Sequence, residues 1–153
     1  MLRFVREKIV VTLRPDDIRV VGLYYYRNPW PVRMSQGMVV PFPVDATHPP
    51  PPEVASELLP GQDASIRRFY FAGQDRFELY VGAGQTVCVR LNYSQYAPDR
   101  DGRYILTTTR PWRQPLESGV YRMALEGVAL KTSSYAQWKK ETKGQAVFDQ
   151  RRL

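Results

Sequence analysis

Histidine, cysteine and paired carboxylates carry most enzymatic chemistry, and this chain holds few of them in useful company. His48 is the single histidine, and it stands beside Pro49–Pro52. Serine–histidine–aspartate catalysis needs an imidazole held on a rigid scaffold between a serine and a carboxylate. A proline-flanked loop supplies no such scaffold, so His48 is expected to be a solvent-exposed loop histidine. Cys88 is the single cysteine and lies in an apolar extended run. A thiol attacks only as thiolate, and burial in a strand opposes ionisation, so Cys88 reads as an inert, buried side chain. One cysteine excludes an internal disulfide, and one cysteine with one histidine makes no Cys/His metal cluster.

Paired carboxylates could serve a glycosidase. The available ones, Asp16/Asp17, Asp45, Glu78 and Asp99/Asp101, fall mainly in turn-like segments, where aspartate is favoured for local backbone bonding alone. Asp99-Arg-Asp101-Gly102 matches half of a calcium loop but lacks the terminal glutamate and carries two arginines. Gly82-Ala-Gly84 has two glycines of a dinucleotide fingerprint. That fingerprint must open a helix, whereas Thr86-Val-Cys-Val-Arg-Leu continues as a strand, so a hairpin turn is expected there. No catalytic residue, metal ligand or cofactor is assigned, and the chain is expected not to be an enzyme.

Binding chemistry is better supplied. Ten tyrosines and three tryptophans are present, and exposed aromatics near connections make platforms for sugar rings. The candidate contact residues are Trp30, Tyr96, Trp112 and Trp138. Trp112, just after Pro111, could instead fold back to plug the end of the core. In Tyr24-Tyr25-Tyr26 neighbours must point to opposite faces, so at least one belongs inside. Net charge is +7, with an isoelectric point near 9.7, which suits nucleic acid or acidic polymers. Ile66-Arg-Arg-Phe-Tyr-Phe71 mixes phosphate-binding and stacking side chains, yet no recognised nucleic-acid motif appears. Arginines 67, 68, 76 and 90 alternate with apolar residues, the pattern of a solvated outer sheet face.

Alternation also reads the elements that must position these groups. Apolar residues recur at every second position over Phe4–Leu13, Ile18–Arg27 and Val32–Phe42. Strands return at Ser65–Phe71, Arg76–Val81, Thr86–Tyr96, Arg103–Thr109 and Gly119–Leu130. Residues 44–62, with their four consecutive prolines, read as one long surface connection with a helical turn over Glu53–Leu59. Residues 134–151 fit either a short helix over Ser134–Lys143 or a hairpin of Gln137–Glu141 with Ala146–Arg151, and the hairpin is preferred. Such spacing predicts an all-β, antiparallel two-sheet sandwich, immunoglobulin-like or jelly-roll-like, as one domain over 1–153. No segment reaches the roughly 18 apolar residues needed to span a bilayer. The first residues show no apolar signal core, and the ending at Gln150-Arg-Arg-Leu153 suggests a fragment of a longer protein.

Val21-Gly-Leu-Tyr-Tyr-Tyr-Arg-Asn28 with Val40-Pro-Phe-Pro-Val-Asp45, and Val87-Cys-Val-Arg-Leu-Asn-Tyr93 with Tyr104-Ile-Leu-Thr-Thr-Thr-Arg-Pro-Trp112, resemble a pattern in uncharacterised bacterial extracytoplasmic β-sandwich domains. The resemblance spans most of residues 18–130. It implies a periplasmic or secreted domain without catalytic residues to carry over. The expected function is a non-catalytic interaction or scaffolding module with a protein partner. A carbohydrate-binding module comes second, and a basic nucleic-acid binder third.

Overall fold

The computed structural model describes residues 1–71, 74–99, 101, 115–133, 139–141 and 145–150. The predicted strand over 103–109 and the candidate residues Trp112 and Trp138 lie outside them. Ten strands are described: β1 (Arg3–Leu13), β2 (Asp17–Arg27), β3 (Met34–Val39), β4 (Val54–Leu58), β5 (Ala64–Phe71), β6 (Gln74–Val81), β7 (Thr86–Tyr96), β8 (Ser118–Leu125), β9 (Lys139–Glu141) and β10 (Gln145–Gln150). No helix occurs among the described residues, and none is therefore long and apolar enough to cross a membrane.

The period of two decides which side chains face inward. On β2 Ile18, Val20 and Tyr26 are buried, while Val21, Leu23 and Tyr25 are only half-buried on the other face. On β1 both Phe4 and Val5 are buried because the register slips between Phe4 and Arg6. Beyond that bulge Glu7 and Ile9 point in, and Arg6 and Lys8 point out. Extra residues of this kind re-aim every following side chain.

The strands form two sheets, one ordered β4-β7-β2-β1-β8-β10-β9 and one ordered β3-β6-β5. β2 and β7 pair along their full length, from Asp17 opposite Tyr96 to Arg27 opposite Thr86. Phe4, Tyr26, Val87, Val89 and Leu91 of the larger sheet share one buried cluster with Met38, Phe77, Leu79 and Val81 of the smaller. A second cluster, with Ile9, Val20, Val54, Tyr93 and Tyr121, lies on the larger sheet alone. A polar tie joins the sheets as well: the Arg68 guanidinium of β5 donates to the Val54 carbonyl of β4.

Several expectations change. The predicted helical turn over 53–59 is strand β4, whose residues pair with Val89–Tyr93 of β7. The free edge of β7 supplies ladder partners that outweigh the helix preference of Ala55 and Glu57. Wholly antiparallel pairing gives way at β1 and β8, which run parallel from Arg6 opposite Ser118 to Leu13 opposite Leu125. Gly82–Gln85 is no hairpin turn, since β6 and β7 belong to different sheets. It is a corner, with Gly84 at φ +67°, a region that only glycine enters without strain. β9 and β10 do pair antiparallel, with Gln145 opposite Glu141, which favours the hairpin alternative over the helix.

Candidate functional site

The connection from β3 to β4, residues 40–53, has neither strand nor helix, and its conformation is organised by Asp45. Asp45 Oδ1 accepts hydrogen bonds from the backbone N–H groups of Thr47 and His48, both at 2.9 Å, and from the Thr47 hydroxyl at 3.0 Å. Aspartate favours this local bonding because its short side chain reaches the backbone two or three residues on. The turn swings His48 inward until only 1% of it is exposed. On the facing strand Gln95, also buried, donates from Nε2 to the carbonyls of Pro43 and Pro49 at 2.9 and 3.0 Å. The proline loop is thereby held at both ends.

His48 is surrounded by oxygens. Nδ1 lies 2.8 Å from Asp45 Oδ1. Nε2 lies 2.9 Å from the Asp101 carbonyl oxygen and 3.2 Å from Asp99 Oδ1. A ring whose two nitrogens both face acceptors is most stable with both protonated. The bond to Asp45 holds the imidazole above its ordinary value of 6.5, against the opposing effect of burial. The same bond holds the Asp45 carboxyl well below 3.8, and the Asp101 N–H holds Asp99 low. The expectation of an exposed loop histidine is therefore overturned. Carboxylates that take up an imidazolium lie within one turn of His48 and across the fold, and the latter were not readable locally.

The ring nitrogen of His48 and the carboxylates of Asp99 and Asp101 lie within 4.8 Å of one another, a donor set of the kind that divalent cations accept. A metal would need the lone pair of Nε2, the nitrogen that here faces the Asp101 carbonyl and the Asp99 carboxylate. A general base needs the same lone pair. As it stands the arrangement is a clasp joining the proline loop to the segment after β7.

A second buried titratable group sits inside the larger sheet. Glu7 is 1% exposed. The Tyr121 hydroxyl donates to its Oε1, while Oε2 has no hydrogen-bond partner among the described residues. Burial pushes this carboxyl up from its ordinary 4.5, more than the tyrosine bond lowers it. Nothing in local sequence marks it beyond an acid at an inward position. Cys88 is buried, and burial raises its thiol pKa.

Trp30 and Tyr96 are both more than half exposed. Trp30 stands on a braced loop: Asn28 Nδ2 donates to the carbonyls of Val32, Val81 and Gly82, and Asn28 Oδ1 accepts the Trp30 N–H. Trp30 follows the end of β2 that pairs with Thr86, whereas Tyr96 pairs with Asp17 at the other end. The eleven-residue strands place them roughly 35 Å apart at about 3.4 Å per residue. These two aromatics share no platform.

The outward face of the larger sheet gathers Arg6, Lys8, Arg19, Arg90 and Arg122. Lys8 lies opposite Leu23, and Leu23 opposite Arg90. Arg122 lies opposite Val10, and Val10 opposite Val21. Arg6 covers the Tyr25 ring at 4.1 Å.

No protein-family model matches the chain, and no curated protein does. Solved structures do. A candidate nutrient-binding protein from Legionella pneumophila matches with a TM-score of 0.68 at 12% identity, over 98% of this chain and 63% of its own. An M1 zinc metallopeptidase from Deinococcus radiodurans matches with a TM-score of 0.51 at 16% identity, over 98% of this chain and 39% of its own. The likeness is one of fold. This chain thus spans less than two thirds of either solved chain, so the shared architecture is one part of each longer molecule.

Proposed function

We propose that this chain is a non-catalytic binding module of β-sandwich architecture that works outside the cytoplasm. The observation that carries the reading is how its polar chemistry is spent. His48, Asn28 and Gln95 are all buried and all bonded to loop carbonyls or carboxylates that they hold in place. What remains at the surface is contact chemistry, a basic sheet face and an exposed tryptophan on a stiffened loop. The similar Legionella protein is a candidate nutrient-binding protein, which agrees with a binding role for an unidentified ligand. The extracytoplasmic setting rests on the sequence resemblance described above.

A thermal-shift screen tests the reading, using small metabolites, neutral oligosaccharides, acidic peptides and nucleic acid at low and high salt. Saturable stabilisation by at least one class is expected, because a ligand that binds only the folded chain raises its melting temperature. A null result in every class, joined to turnover of generic peptide, ester or glycoside substrates, would sink it. A second reading, sugar binding at Trp30, is favoured by the Asn28 brace, since a ring held rigid loses little entropy on stacking. In the screen it appears as stabilisation by oligosaccharides that is lost in Trp30→Ala.

A further inference from the structure

The outward face of the larger sheet carries more positive charge than the fold itself neutralises. Arg6 and Lys8 on β1, Arg19 on β2, Arg90 on β7 and Arg122 on β8 all lie on it. Among the described residues, Arg90 alone of these pairs with a carboxylate, Glu57 at 3.3 Å. Among the described residues, Arg6, Lys8, Arg19 and Arg122 have no acidic side chain in ion-pair reach; Arg6 lies over Tyr25, and Arg19 reaches Asn92 at 3.3 Å. Like charges gathered on one face of a sheet repel. Their attraction is therefore available to an anionic partner.

The register says which kind of anion. Cations and apolar side chains alternate as on a chequerboard: Lys8 beside Leu23 beside Arg90, then Arg122 beside Val10 beside Val21. Val10 is 37% exposed, and Val21 and Leu23 are half-buried between the longer basic chains. A nucleic-acid strand would want exposed rings for its bases, yet the one aromatic of the central rows, Tyr25, is already covered by Arg6. A bilayer surface would want apolar groups standing above the cations rather than beneath them. Four of the five cations are arginine, the basic residue that protein interfaces favour over lysine. A second copy of this chain would bring the same charge.

We infer that the outward face of the larger sheet docks an acidic protein surface, whose carboxylates meet Arg6, Lys8 and Arg122 while its apolar side chains fill the floor of Val10, Val21 and Leu23. The inference rests on the binding-module reading and supplies its partner class. Guanidinium groups meet carboxylates in two-pronged hydrogen bonds, and the charge pattern steers and orients the encounter.

The test uses fluorescence anisotropy of two synthetic peptides of equal charge, one alternating Glu and Leu, the other Glu and Ser. A DNA duplex and phosphatidylserine vesicles serve as competing anions, all at the same low ionic strength. The Glu–Leu peptide should bind at least about tenfold more tightly than Glu–Ser, and lose at least about tenfold in the triple variant Arg6→Glu/Lys8→Glu/Arg122→Glu. Arg122→Glu alone, on an exposed side chain, should lose part of that affinity and guards against a triple variant that does not fold. Arg67→Gln, on the smaller sheet, should lose none. Equal binding of both peptides, tighter binding of duplex or vesicles, or indifference to the substitutions would overturn the acidic-protein assignment. If neither peptide binds while another ligand class stabilises the chain in the thermal screen, this face is refuted and the module reading stands. Silence in both experiments refutes this face, and turnover of generic substrates beside it would remove the module reading as well.

Discussion

The Tyr121 hydroxyl on β8 donates to the carboxyl of Glu7 on β1, across the one place where neighbouring strands run parallel among those described. Tyr121 stands opposite Ile9 in the register, and Glu7 opposite Gly119. The tyrosine ring leans back over Gly119, where an added methyl group would lie 3.0 Å from it, and that lean delivers the hydroxyl to Glu7. The second carboxyl oxygen is buried without a partner among the described residues, an arrangement that favours the neutral acid.

Stability should therefore fall as pH rises above 4.5, the ordinary value for this carboxyl. Over that range the unfolded chain loses the proton that the folded chain keeps, so the unfolded state gains. The decline ends once the folded carboxyl itself ionises. Glu7→Gln removes the effect, and urea titrations from pH 4 to 8 should show a flatter profile for the variant. An unchanged slope would mean that Glu7 is ionised in the fold.

The clasp at His48 responds to pH with two signs. Asp45, held low, contributes stability that is present above about 3.8 and lost as pH falls towards its folded value. His48, held high, contributes stability that is fully present below 6.5 and lost as pH rises through its folded value. The clasp is thus strongest between those two ordinary values. His48→Ala should lower the melting temperature by several degrees at pH 5.5 and by less at pH 8.5. Equal loss at both would indicate that the ring acts by filling space alone.

Asn28→Ala should destabilise by about 1–3 kcal/mol, because it strips a donor from the buried carbonyls of Val81 and Gly82. It also frees the loop that carries Trp30. Tryptophan anisotropy and iodide quenching, compared with a Trp30→Phe background, would report that release. A stable variant with unchanged quenching would refute the bracing role.

Gly22 lies beneath the ring of Tyr24, and a Cβ placed there would sit 2.3 Å from the ring edge. Gly22→Ala forces the ring out of a well-packed position and should cost about 1–3 kcal/mol. Adding Tyr24→Leu should recover part of the loss if the clash is the cause. Denaturant midpoints of the two variants decide it.

Much of the architecture was legible because alternation is a strong local signal. Val20, Tyr26, Val87, Val89 and Leu91 are inward by simple counting, and all are buried. β4 was hidden because Val54-Ala-Ser-Glu-Leu58 alternates weakly and lies between prolines, so only the edge of β7 makes it a strand. The parallel partner of β1 was invisible for a related reason: register between distant strands depends on which edges remain free. The site was harder still. Asp45, three residues before the only histidine, was a usable clue, but the Asp101 carbonyl comes 53 residues after it. Trp30 and Tyr96 are both exposed, and their separation follows from strand pairing that composition does not encode.

The parallel pair also sets an order of events for a chain delivered from its N-terminus. β1 and β2 can close at once as a hairpin, and β7 can follow, yet the other edge of β1 waits for β8. The Arg14–Glu126 bond at that seam joins residues 112 positions apart. At roughly 5–20 residues per second of synthesis, the nascent strand stands uncovered for about 5–20 seconds. The charged side chains Arg6 and Lys8 on that strand are the kind that discourage edge-to-edge aggregation. Distant closure of this sort slows folding, so the arrival of β8 on β1 should be a late step in reaching the native state.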